Sequence, residues 1–263
     1  MIPVYKNQNR FELFEGNCLE IMDSLFLDKE NRFDLIFADP PYFLSNGGIT
    51  CKNGKMVNVN KGDWDKSQGP EINHQFNMEW LKRCQSLLTP NGSIVVSGTH
   101  HVIYSIGFAM QQLGMKMLNN ITWEKPNPPP NLACRYFTHS TETLLWAAKD
   151  EKSKHIFNYS LMREINGGKQ MKDVWRFTAP QKNEKRFGKH PTQKPETLLE
   201  RIILASTNES DSILDPFSGS GTTGVAAIRH KRSYVGIELD KTYLDLANQR
   251  LMDECEILEN RLL

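Results

Sequence analysis

The chain has 263 residues, with 32 basic and 31 acidic side chains, a net charge of +1 and 39% apolar content. These values exclude a disordered chain of low hydrophobicity and high net charge, and equally a wholly basic, histone-like protein. No apolar run approaches the ~18 residues of a membrane-spanning helix, and the opening MIPVYKNQNRFELF lacks the regions of a secretory signal; the expectation is a cytoplasmic protein with no membrane partner.

The length suits one large α/β domain with an elaborated insert. Residues 33–38, FDLIFA, are an apolar run halted by Asp39-Pro40-Pro41, as a buried strand would be. Residues 74–88 read as a helix, broken by Thr89-Pro90-Asn91-Gly92 before a strand over 93–98. A helix over 101–113 follows, then strands near 116–123 and 142–149. Residues 150–190 are polar and weakly periodic. Alternation resumes with a helix over 196–207, a strand over 212–215, a helix over 222–230, a strand over 234–239 and a helix over 241–255. Residues 252–263 are expected as a helical surface or a frayed end. Strands alternating with helices imply a largely parallel sheet covered on both faces.

The near-zero charge hides a split. Residues 151–195 hold eleven Lys/Arg against four acids, a balance of +7 that leaves −6 for the rest. Aromatics interleave with this basic stretch (Phe157, Tyr159, Trp175, Phe177, Phe187), a composition shared by nucleic-acid-binding faces and solvated surfaces. The five cysteines (Cys18, Cys51, Cys84, Cys134, Cys255) are scattered singly. They fit reduced structural thiols, and no metal is expected.

Ligands of such a sheet bind outside the carboxyl ends of its strands, and two segments place polar chemistry there. One is Asp215-Pro216-Phe217-Ser218-Gly219-Ser220-Gly221-Thr222-Thr223-Gly224. Its G-x-G-x-x-G lies between a strand and a helix, with Glu238 nineteen residues beyond Gly219 at the next strand end. Glycines let backbone approach a ligand, the helix start offers free N–H groups, and Glu238 can hold ribose hydroxyls. Asp215 would repel the diphosphate of a dinucleotide. A phosphate-free, cationic nucleoside such as S-adenosylmethionine suits the loop better.

The other segment is Asp39-Pro40-Pro41-Tyr42. Two prolines stiffen the corner. The Asp39 carboxylate and the Pro40 carbonyl can accept both hydrogens of an exocyclic amine, while Tyr42 stacks on its ring. That geometry favours attack of the amine nitrogen on a sulfonium methyl, through proximity and preorganised charge.

Together the two segments resemble the amino-group DNA methyltransferases of the circularly permuted β group, in which D-P-P-Y precedes D-P-F-x-G-x-G-T-T. The further motif His190-Pro191-Thr192-Gln193-Lys194-Pro195-Glu196 belongs to the same pattern. The stretches 38–48, 61–66 and 125–131 are most similar to the DpnA-like adenine methyltransferases of GATC systems, although GANTC-type relatives share several blocks. The resemblance implies a Rossmann-like, mostly parallel, seven-stranded sheet. Its catalytic half would span 1–150, a basic target-recognition insert 151–189 and a cofactor-binding half 190–263. The carry-over makes Asp39, Pro40, Pro41 and Tyr42 the catalytic corner. Asn17, Cys18, Asp39, His190, Thr192, Gln193, Lys194, Asp215, Pro216, Phe217, Gly219, Ser220, Gly221, Thr222, Thr223 and Glu238 would contact the methyl donor, with Lys194 on its carboxylate. Asn17 stands where the family usually has Asp.

Candidate DNA contacts are Ser45, Asn46, Lys61, Trp64, Asn127, Asn131, Arg135, Arg176, Lys182, Lys185 and Arg186. The target base lies inside the duplex and must be flipped out. Double-stranded DNA is the expected partner, with single strands and a homodimer left open. A cognate restriction endonuclease would be linked in function without necessarily being bound. His100-His101 read as a cap on the following helix, Trp123 and Trp146 as core. The rivals are N4-cytosine methylation, an NAD-dependent dehydrogenase (which leaves the Asp-Pro-Pro-Tyr corner unexplained) and a DNA-binding module with a degenerate pocket.

Overall fold

The computed structural model describes residues 2–8, 10–28, 32–44, 49–52, 55–58 and 65–260. The elements run β1 (Tyr5–Asn7), β2 (Phe11–Glu15), α1 (Cys18–Leu27), β3 (Phe33–Ala38), β4 (Ile49–Lys52), β5 (Lys55–Asn58), α2 (Pro70–Leu87), β6 (Leu88–Gly98), α3 (Ile103–Gln112), β7 (Lys116–Glu124), β8 (Thr141–Ala148), α4 (Tyr159–Ile165), β9 (Val174–Arg176), α5 (Glu196–Ser206), β10 (Ser212–Asp215), α6 (Thr222–Arg229), β11 (Ser233–Glu238) and α7 (Lys241–Asn260).

One sheet runs in the order β1-β2-β11-β10-β3-β6-β8-β7-β9, and β4 pairs with β5 in a separate hairpin. The expected seven strands are thus nine. The two additions, β1 antiparallel to β2 and β9 parallel to β7, lie at the outer edges and have three residues each. That is too short for a period-two signal, which needs about four to eight residues. The central strands β2, β11, β10, β3 and β6 run parallel to one another, while β8 runs antiparallel to both β6 and β7.

Each face of the sheet carries its own core, and β3 shows how. Leu35 and Phe37 pack with Leu198, Ile202, Val225 and Leu251 of α5, α6 and α7. Ile36 and Ala38 pack with Met22, Trp80, Leu81 and Ile106 of α1, α2 and α3. Alternate side chains of a strand point to opposite faces, so a strand buried on both reads as an unbroken apolar run. The break at 89–92 is a bulge inside β6, since Phe33 pairs with Leu88 and Leu35 with Ser93. Gly92 fits there because a Cβ would sit 2.8 Å from the Phe33 carbonyl oxygen.

At the other side of the sheet α7 packs over β2. Tyr5 donates its hydroxyl to Asp245 at 2.6 Å, and Arg10 pairs with Glu259 at 3.9 Å. The helix runs on to Asn260, past the expected end at 255. His100 and His101 do not cap α3; Val102 occupies the cap position without a side-chain bond, and the two rings lie 3.8 Å apart. Trp123 and Trp146 are buried, as expected of core residues.

Candidate active site and donor cleft

The two motif segments leave neighbouring strands of the sheet. Leu214 of β10 pairs with Ile36 of β3, so Asp215 and Asp39 emerge at the same carboxyl edge, Asp39 two residues beyond the position opposite Asp215. Because β8 is antiparallel, its first residues also lie on this edge. That places Glu142 beside the corner, although the sequence reading passed over it.

Asp39 is held by two donors. Tyr42 donates its hydroxyl to Oδ1 at 2.7 Å, and Lys194 pairs with Oδ2. Tyr42 is 7% exposed, so its ring is turned inward and not out to solvent as an open stacking face. Its hydroxyl also lies 3.4 Å from Ser97 Oγ and 3.4 Å from Glu142 Oε2. Burial, then the charges of Asp39 and Glu142, push the phenol well above its ordinary pKa.

Lys194 is buried and reaches Asp39, the Tyr42 hydroxyl at 3.3 Å and Glu142 at 3.6 Å. Burial opposes its charge, but the two carboxylates outweigh it and raise the ammonium pKa. The resemblance directs this ammonium at the donor's carboxylate; here it points at Asp39, while its residue also lines a small cavity beside the glycine loop. Glu142 completes the group through Lys125. Burial alone would raise its carboxyl, yet Lys194 and Lys125 bring it down to about 2.

The corner is held from below by a residue also missed. Asp65, fully buried, accepts the backbone N–H groups of Tyr42 and Phe43 at 2.9 and 2.8 Å on Oδ1, and that of Leu44 at 3.2 Å on Oδ2. Phe43 adopts a φ of +57°, a left-handed conformation that this carboxylate pins in place.

Beside the corner opens a cleft of about 250 Å³, lined by Asn17, Cys18, Asp39, Phe217, Glu238 and Tyr243 among others. Asn17 caps α1, accepting the Leu19 N–H at 2.9 Å. Cys18 is a half-buried thiol, pushed up to about 12 by desolvation. Glu238 accepts the N–H of Gly219 at 2.8 Å and of Asp240 at 2.9 Å, and burial raises its carboxyl. The glycine loop is cramped. A Cβ on Gly219 would lie 3.2 Å from the His190 ring, and one on Gly221 (φ +72°) 2.9 Å from Ala247.

Asp215 does not face the cleft as an open charge. It is buried, accepts the Thr223 hydroxyl at 2.6 Å and the Phe217 N–H at 3.0 Å, and burial raises it to about 7. Enclosed and raised to about 7, Asp215 does not repel a diphosphate as an open fixed charge would, and the cleft's fit to a donor rests on shape and acceptors. Gln193 Oε1 is buried without a hydrogen-bond partner, in the same small cavity as Ser218 and Thr222. An orphaned carbonyl oxygen beside a glycine loop fits the ammonium end of S-adenosylmethionine, and Glu238 at the strand end fits its ribose. Pro216 is buried; Ser220 and Thr222 are gripped from behind by Arg250, an α7 residue the motif reading did not reach. Among the described residues no cluster of metal ligands occurs, and no helix is long and apolar enough to cross a membrane.

The candidate DNA contacts divide. Ser45, Asn46, Lys61 and Trp64 lie outside the described residues. The segment 125–140 follows β7 and leaves the sheet at the same edge as Asp39, because Glu124 pairs with Thr141. Asn127 and Arg135 are exposed on it; Asn131 instead folds the loop, donating to the Tyr136 carbonyl at 2.6 Å. Arg176 ends β9 on this edge, and its side chain is 67% exposed. Lys182 is exposed, Lys185 donates to the Pro180 carbonyl at 2.8 Å, and Arg186 pairs with Asp253. The basic stretch is split by the sheet. Lys152 and Lys154 lie at the opposite edge, where Ser153 donates to the Pro90 carbonyl and the Lys154 N–H to Asn91.

A family profile described as DNA methylase, of the N6/N4 methyltransferase type, matches residues 33–249. The Type II methyltransferase M2.DpnII of Streptococcus pneumoniae is 55% identical over 257 residues, covering 97% of this chain and 95% of that protein. M2.MboI of Moraxella bovis is 49% identical over 259 residues, covering 98% and 94%. Among solved structures, the SAM complex of M1.HpyAVI superposes with a TM-score of 0.70 at 30% identity, over 92% of this chain and 98% of that one. The cytosine-N4-specific PvuII DNA methyltransferase gives 0.72 at 19% identity, over 98% and 95%, a likeness of fold alone. A profile match across most of the chain, relatives near half identity over nearly its full length, and an acceptor corner beside a donor cleft agree: the chain belongs to the N6/N4 DNA methylase family and is a DNA methyltransferase that uses S-adenosylmethionine.

Proposed function

We propose that the protein methylates the N6 of adenine at a specific site in duplex DNA, GATC being the target, as the modification half of a restriction–modification pair. The observation that carries this reading is the pairing of β3 with β10, which sets the Asp39 corner against the donor cleft on one sheet edge. The Asp-Pro-Pro-Tyr corner and the resemblance to adenine methyltransferases of GATC systems support adenine.

S-adenosylmethionine, when bound, supplies a methyl group on a positively charged sulfur. The chain's own residues do the rest. Gln193 and Glu238 hold the two ends of the donor, with the glycine loop against it. Asp39 and the Pro40 carbonyl accept the two hydrogens of the adenine amine, which draws the nitrogen lone pair out of the ring. Asp39 is also the acceptor for the proton that the amine sheds. Stiff prolines and the Asp65 anchor keep this corner in place before the base arrives, and such preorganisation supplies most of the rate. Residues 125–140 and 174–189 flank the site and carry the contacts to the duplex, with 151–189 as the target-recognition insert. The base reaches Asp39 by flipping.

A plasmid treated with the protein and donor, then challenged with a GATC-cutting endonuclease that adenine methylation blocks, should survive. Complete cleavage at GATC, with label incorporated elsewhere in the DNA, would contradict the target.

A further inference from the structure

Asp39 has no oxygen free of a donor: Oδ1 accepts from Tyr42 and Oδ2 is paired with Lys194. An incoming amine has to displace one of them. Lys194 cannot retreat into water, because its side chain is 7% exposed. Among the described residues its carboxylate partners are Asp39 and Glu142, the latter at 3.6 Å.

Glu142 is built to be the second of these. Its Oε1 is fixed by Lys125, leaving Oε2 toward Lys194 and the Tyr42 hydroxyl at 3.4 Å. It stands on β8, antiparallel to the β6 strand that supplies Ser97 to the same hydroxyl. Both donors that now occupy Asp39 thus have Glu142 Oε2 as their alternative acceptor. For Lys194 the change is a closing of the gap from 3.6 Å to the ~2.8 Å of a charged hydrogen bond.

We infer that Glu142 is a positioning residue for methyl transfer, receiving the Lys194 ammonium when the target's amine takes its place at Asp39. The inference rests on the amine-methylation reading above. A lysine left on Asp39 would compete with the amine for the carboxylate. It would also repel the positive charge that grows on the nitrogen as it attacks. With Lys194 on Glu142, Asp39 faces that nitrogen as an unshared negative charge. Asp39, Glu142, Lys194 and Lys125 together sum to zero, so the exchange moves one hydrogen bond without creating a net buried charge. The depressed carboxyl of Glu142 keeps the acceptor ionised throughout the neutral range.

The test is single-turnover methyl transfer at saturating DNA and donor, with donor affinity measured separately by calorimetry. The native protein is run first, and absence of transfer there would count against the methyltransferase reading itself. Glu142→Gln should slow transfer at least tenfold while donor affinity stays within about twofold, and Glu142→Asp, which keeps the charge, should recover most of the rate. In a Lys194→Met background, adding Glu142→Gln should change the rate less than twofold, because the residue acts through the lysine. That double variant removes both buried charges and serves if Glu142→Gln alone does not fold. A folded Glu142→Gln with native rate would overturn the inference, and so would a further tenfold loss in the Lys194→Met background.

Discussion

Tyr42 and Asp39, the ends of one four-residue corner, are hydrogen-bonded to each other at 2.7 Å. The phenol therefore has two separable duties, packing its buried ring into the corner and donating to the Asp39 carboxylate. Tyr42→Phe removes only the second, a bond to a charged carboxylate worth about 2 kcal/mol, and should cost turnover roughly 30-fold. Tyr42→Ala removes the ring as well and should cost about 100-fold or more through a loosened corner. Single-turnover rates check this; equal losses in the two variants would mean the ring contributes nothing.

Asp215 gives a pH signature. Burial raises its carboxyl to about 7, above the ~3.9 of an unfolded chain. Between those values the native state keeps a proton that the unfolded chain has released. Stability from this site therefore falls as pH rises from about 4 to about 7. Asp215→Asn cannot ionise and should gain on the native chain across that window, by up to about 4 kcal/mol. Urea unfolding at about pH 5 and about pH 8 measures it. A difference that does not change with pH would contradict a carboxyl protonated by burial.

Arg250 clamps the donor loop from the side away from the cleft. It donates to the Ser220 carbonyl at 2.7 Å, the Ser220 hydroxyl at 3.1 Å and the Thr222 hydroxyl at 3.0 Å, and pairs with Glu196 at 2.8 Å. Arg250→Met should weaken donor binding about tenfold, with the rate at saturating donor little changed; Arg229 still pairs with Glu196 at 3.0 Å, so the fold should lose about 1–3 kcal/mol through the unpaired Ser220 and Thr222 oxygens. Unchanged donor affinity in a folded Arg250→Met chain would show the loop to be held without it.

Salt dependence separates the two halves of the basic stretch. Arg135 lies on the catalytic edge, Lys182 follows six residues after β9 ends there at Arg176, and Lys152 lies on the far edge. Arg135→Ala or Lys182→Ala should lower the slope of log affinity against log salt by about one, while Lys152→Ala leaves it unaltered. A loss of slope in Lys152→Ala equal to the others would place DNA on a different face.

Much of this architecture is visible in the chain without coordinates. Both-face burial leaves its signature in Phe33–Ala38 and Ile213–Leu214, where Asp34 alone interrupts the apolar residues before each motif begins. Glu142, Asp65 and Arg250 were not visible, for a common reason. Each acts across a long sequence separation on a backbone or side chain that only folding brings near, as Arg250 does on Ser220. A charge opening the otherwise apolar run of β8 was the one local hint of Glu142. The direction of Lys194, toward Asp39, depends on how residues 190–195 cross the sheet edge, and no periodicity encodes that.

The most direct test of the central claim is the identity of the methylated base. DNA incubated with the protein and tritium-labelled S-adenosylmethionine is digested to nucleosides and separated. The account predicts label in N6-methyladenine, abolished by Asp39→Ala; label in N4-methylcytosine, or transfer that survives Asp39→Ala, would contradict it.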